Sequence, residues 1–75
     1  VRQLLSAACD EFWLVRLSTI DTRGRQVELT LEPTDMDGRY VYGDTFPDGD
    51  EETLIIDLIQ WARVLTHAEE ALLIP

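Results

Sequence analysis

The chain has no lysine, no asparagine, a single cysteine, a single histidine and a single methionine among its 75 residues. One cysteine excludes an internal disulfide framework, and Asp10 and Glu11 beside Cys9 are expected to raise its thiol pKa, against a reactive thiolate. A reducing cytoplasm is the expected setting. No apolar run nears the roughly 20 residues a membrane-spanning helix needs, and no charged-then-apolar leader opens the chain. The start at Val1 therefore reads as a boundary or a processed start rather than a signal peptide, and residues 1–75 as a single domain, with a fragment of a longer protein as the alternative reading.

What is abundant is negative charge. Fifteen acids against six bases, all arginine, leave a net charge of −9. Such a field opposes the phosphate contacts that supply most nucleic-acid affinity, so a protein with a basic face is the expected partner and nucleic acid is disfavoured. A bias of composition towards acids, as in salt-adapted organisms, is the competing account.

Several periodicities follow one another along the chain. In VRQLLSAACDEF, Val1, Leu4, Leu5, Ala8 and Phe12 form one apolar stripe at helical spacing, predicting a short amphipathic helix. FWLVRLSTI is rich in aromatic and β-branched residues and predicts a mostly buried strand in which Phe12 and Trp13 pack. Asp21-Thr22-Arg23-Gly24 is a hairpin turn in which Gly24 supplies the positive φ. Residues 25 to 32 alternate, with Val27, Leu29 and Leu31 towards a core and Gln26, Glu28, Thr30 and Glu32 towards water, and Pro33 is expected to stop the strand. Asp37-Gly38 opens a second turn into Arg39-Tyr40-Val41-Tyr42, and Gly43 marks a bulge or a close backbone approach. Residues 44–52 read as a loop. TLIIDLI predicts a strand with Leu54, Ile56 and Leu58 inward and Ile55, Asp57 and Ile59 outward. WARVL continues as a bent last strand, before a helix-like tail, THAEEALL. The fold class expected is α+β: an N-terminal helix capping a small, strongly bent, antiparallel five-stranded β-barrel of the Sm or SH3 kind.

Catalytic chemistry has little to work with. His67 stands alone in the tail and reads as solvent-exposed, and Ser6, Ser18 or Cys9 would each need it as a base. The acidic run Asp44, Asp48, Asp50, Glu51, Glu52 lacks the order of a calcium-binding loop. Asp57, the one acid inside an apolar run, points outward by alternation rather than into a site that would tune it. The expectation is a chain that is not an enzyme, with no catalytic residues, metal or cofactor. The candidate binding surface joins Arg39, Tyr40, Tyr42, Ile55, Asp57 and Trp61 to acids Asp44, Asp48 and Asp50. Tyr40, Tyr42 and Trp61 would suit base stacking, but a basic groove to track phosphates could come only from Arg39, Arg16, Arg25 and Arg63. An exposed edge strand also leaves room for pairing between copies.

The order Gly24, then Glu32-Pro33, then Asp37-Gly38-Arg39-Tyr40-Val41-Tyr42, then an apolar strand closing on Asp57-Leu58-Ile59, resembles a WYL domain over residues 2 to 65. That resemblance implies a helix before a bent Sm-like sheet and a regulatory role in transcription or nucleic-acid processing. In the alternative form it implies sensing of a nucleic-acid or nucleotide effector through arginines on the last strands. The family's R-x-F-R-L-D-R-I pattern falls on residues 52 to 59, where Asp57 and Ile59 match and its arginine positions hold Glu52, Ile55 and Leu58. A WYL-like fold turned into a protein-docking surface agrees with that loss and with the net charge. In size, acidity and element order the chain also resembles the small acidic Sm-like inhibitors of the transcription terminator Rho, which implies docking on an RNA-binding protein.

Overall fold

A computed structural model describes residues 1–66 and 68–69. His67 and most of the tail expected to be helix-like lie outside the described residues, although Ala68 and Glu69 are helical.

The first helix, α1 (Arg2–Glu11), follows from the stripe of Leu4, Leu5 and Ala8, of which Leu5 and Ala8 are fully buried. It ends because Phe12 turns left-handed, at φ 58 and ψ 41, so that the Trp13 N–H reaches back to the Ala8 carbonyl at 3.1 Å. This corrects the expected place of Phe12 in the apolar stripe and of Phe12 and Trp13 in a buried strand. Phe12 is 78% exposed and Trp13 is also exposed, because the helix exit aims both away from the sheet.

Five strands follow: β1 (Val15–Ile20), β2 (Gln26–Met36), β3 (Tyr40–Thr45), β4 (Glu51–Ile55) and β5 (Trp61–Val64). They form one antiparallel sheet in the order β4-β3-β2-β1-β5. The class is α+β, with α1 packed against β2 and β5. The expected barrel is not closed: β4 and β5 are the two edges, and no ladder joins them among the described residues.

β1 and β2 pair through the Asp21–Gly24 turn, where Gly24 takes φ 77 and the Asp21 carboxylate accepts from the Arg23 and Arg25 N–H groups, both at 2.9 Å. Two expectations for β2 fail. Thr30 is only 3% exposed rather than in water, and its hydroxyl accepts from the Arg16 guanidinium at 3.2 Å. Pro33 does not stop the strand, which runs on to Met36. The register shifts between Pro33 and Asp35, and such an irregularity tolerates a residue with no N–H to give. Opposite Pro33 sits Gly43, where a Cβ would overlap the Glu32 carbonyl oxygen, so the close backbone approach read from the sequence is present.

Leu31 is the one residue of β2 with registered partners on both sides, Val15 in β1 and Thr45 in β3. The core gathers around it from Leu5, Val15, Leu17, Val41 and Leu54.

β4 ends sooner than the alternation of TLIIDLI predicts. A 3-10 turn, η1 (Ile56–Leu58), follows, and it moves Leu58 out to 40% exposure while turning Ile59 in to 7%. Ile59 was expected outside and Leu58 inside; the extra rotation of the 3-10 turn exchanges them. Residues 44–52, expected as one loop, contain the end of β3 and the start of β4, leaving a short connection over residues 46–50.

Candidate docking surface

The β3–β4 hairpin carries most of the candidate residues. Core-facing Val41 and Leu54 are opposite each other, so alternation turns Tyr40, Tyr42, Thr53 and Ile55 to the outer face. Tyr40 pairs with Ile55 and Tyr42 with Thr53, and the tyrosine rings lie 6.3 Å apart at a 39° tilt. Ile55 stays 38% exposed, an apolar side chain left uncovered beside two half-buried aromatic rings.

The turn before β3 is built on one carboxylate. Asp37 accepts from the Arg39 and Tyr40 N–H groups, each at 3.0 Å, and from the Tyr42 hydroxyl at 2.6 Å. The Tyr42 bond first, and then the two backbone bonds, hold its carboxyl below the usual carboxylate range. The same contact pushes the Tyr42 phenol up. The Arg2 guanidinium donates to the Gly38 carbonyl at 2.9 Å, tying the turn to the start of α1. Arg39 is exposed beside it.

Carboxylates border this face. Asp35 of β2 is opposite Tyr42, and Asp44 is opposite Glu51. A polar depression of about 350 Å³ lies among Thr34, Tyr42, Asp44, Glu51 and Thr53. Asp48 and Asp50 are exposed on the 46–50 connection, which is held by Asp50 N–H donating to the Thr45 hydroxyl at 3.1 Å and by Thr45 N–H donating to the Asp50 carbonyl at 2.8 Å.

Two candidates fall elsewhere. Asp57 is exposed on η1, past the end of the hairpin, and Trp61 is exposed on β5, the opposite edge of the sheet, paired with Ser18. The structure therefore gathers Arg39, Tyr40, Tyr42, Asp44 and Ile55 on one hairpin and separates Trp61 from them. Asp35 and Asp37 belong to the surface although no binding pattern marked them; Asp37 was legible only as a turn residue.

A second concavity has no sequence signal at all. A cleft of about 380 Å³ lies between the end of the β1–β2 hairpin and β4. Half-buried Ile20, Val27 and Leu29 border it on one side, and Leu54, Ile55 and Leu58 on the other.

The bases away from Arg39 are largely engaged within the chain. Arg16 and Arg63 face each other across β1 and β5, but Arg63 is paired with Glu69 at 2.7 Å, and Arg16 is bonded to Thr30 and lies 4.0 Å from Glu28. The Cys9 thiol is pushed up by burial first and then by Asp35 and Asp10, which disfavours the thiolate.

The chain matches no family model, no curated protein and no solved structure.

Proposed function

We propose that this chain is a non-enzymatic binding module of the WYL-like, Sm/SH3-like type. Its outer β3–β4 face docks on a protein with a basic face, in transcription regulation or nucleic-acid processing. The type is supported by the element order: a helix, a long β2 shared between two halves of the sheet, a 3-10 turn after β4, and β5 returning to β1. The Rho-inhibitor-like form of the proposal rests on the same order and the same acidity.

The observation that carries the docking role is the cluster of Tyr40, Tyr42 and Ile55, exposed in part and bordered by Asp35, Asp44 and Glu51 with one arginine, Arg39, beside it. An apolar centre inside a charged rim is the usual anatomy of a protein interface, and carboxylates in the rim select a basic partner. The arginines of β1 and β5, engaged by Glu28, Thr30 and Glu69, offer phosphates little.

The test pairs two titrations. A labelled single-stranded oligonucleotide should show no saturable change in anisotropy with this domain at tens of micromolar and low salt. Partners cross-linked in cells and then purified should bind the parent chain and lose affinity with Tyr42→Ala and with Ile55→Asp, while the Tm of both variants stays within a few degrees of the parent. Steeply salt-dependent oligonucleotide binding would favour the effector-sensing reading instead. A large fall in Tm would place both side chains in the core and remove the surface.

A further inference from the structure

The cleft beside β4 has a geometry that the outer face does not share. Four consecutive residues of β4, Glu52 to Ile55, border it. Alternation would offer only every second residue if a face of the strand lined the cleft, so it is the strand's edge that does so. That edge carries no strand among the described residues, since β3 occupies the other side of β4. An unpaired strand edge presents backbone N–H and C=O groups, which a lipid or a compact apolar molecule cannot satisfy and an extended peptide can.

The lining is mostly apolar, from Ile20, Val27, Leu29, Leu54 and Leu58 with Thr19 and Thr22 beside them, and leaves room for a large side chain. The rim is acidic. Glu52 borders the cleft next to Glu51, and neither is ion-paired with a described residue, whereas Asp21 on the opposite rim already holds the Arg25 guanidinium at 3.2 Å. We infer that an extended segment of the protein partner adds to the free edge of β4, seats one large apolar side chain in the cleft, and sets basic residues against Glu51 and Glu52. The inference rests on the protein-docking reading and adds a second, sequence-selective contact to it.

The probe is the synthetic peptide Arg-Thr-Arg-Thr-Leu-Thr-Arg-Thr-Arg, titrated into the whole ¹⁵N-labelled chain. Amide shifts are expected at Ile20, Val27, Leu54 and Leu58. Replacing the central leucine by alanine should weaken binding about tenfold, the loss of a buried leucine side chain, and exchanging every arginine for glutamate should abolish it. Leu58→Asp, half of whose environment is already solvent, should remove the shifts with little change in Tm, and Val27→Thr serves the same end if that variant unfolds. Equal affinity for the alanine peptide overturns the inference. So does a set of shifts confined to Arg39, Tyr40 and Tyr42, which would leave the outer face as the docking surface. Shifts nowhere at millimolar peptide overturn the cleft's role, while binding of purified partner through Tyr42 decides the broader reading separately.

Discussion

The Tyr42 hydroxyl donates to Asp37 Oδ2 at 2.6 Å, and the other oxygen of that carboxylate holds the two N–H groups that start β3. One side chain thus sets both the turn and the pose of a tyrosine on the outer face. A carboxyl held low in the folded chain adds stability above its ordinary titration range and loses it as pH falls through its depressed value. Asp37→Asn should therefore lower Tm at neutral pH, and the difference from the parent should shrink once pH falls below about 4. A difference that stays constant into strong acid would mean the carboxylate's charge is not what matters. At the alkaline end the sign is opposite. The raised Tyr42 phenol favours folding until pH climbs through its value, so Tyr42→Phe should flatten the alkaline limb of the stability curve.

Gly43 is buried, and a methyl group there would meet the Glu32 carbonyl, which is backbone and cannot swing aside. Gly43→Ala should cost about 2 kcal/mol or more in urea denaturation, in the range of overpacked cores. Gly24→Ala has open space around it and meets only the penalty of φ 77, so about 1 kcal/mol is expected. Equal costs at the two sites would contradict the close approach of β2 and β3.

Ser18, fully buried on β1, accepts from the Gln26 amide at 3.0 Å and donates to the Gln60 Oε1 at 3.1 Å, clipping β2 and the approach to β5 onto one hydroxyl. Ser18→Ala should cost about 1 kcal/mol. Hydrogen exchange should quicken at Gln60, whose N–H is bonded to the Ser18 carbonyl at 2.8 Å. Unchanged exchange there would show that the backbone bond needs no help from the side chains.

Leu5 and Phe12 are both large and apolar on or beside α1, yet they should respond oppositely. Leu5→Ala empties a fully buried position and should cost about 2 to 4 kcal/mol. Phe12→Gly removes an exposed ring from a left-handed residue and should be neutral or stabilising by up to about 1 kcal/mol. Chemical denaturation of the two variants separates them, and a large loss from Phe12→Gly would mean that the ring packs against something.

How far the sequence could be read depended on whether the deciding interaction was local. The helix, both turns and the outward pose of Ile55 rest on neighbours within a few residues, and all were legible; the crowding at Gly43 comes from Glu32 across the ladder and was legible only because a glycine inside a strand marks such a place. Pro33 misled because a proline ends a regular ladder but not one already irregular, and that irregularity depends on β3. Ile56 to Leu58 misled because apolar alternation looks the same whether a strand continues or a 3-10 turn exchanges Leu58 with Ile59. Of the candidate surface, the hairpin members came together because two strands joined by a short connection must pair. Trp61 separated because the sheet stays open, which only tertiary packing decides. The cleft left no trace for the same reason: Val27 and Leu29 alternate like core residues, and nothing local tells that their cover is missing.

Only Leu31 of β2 is registered to strands on both sides, and the Thr30 carbonyl beside it accepts the Phe46 N–H at 3.0 Å. The two halves of the sheet, β1 with β5 and β3 with β4, thus share few backbone bonds across β2. Their mutual setting is therefore left to side chains, since Leu5, Val15, Leu17, Leu31, Val41 and Leu54 belong to one cluster that spans both halves.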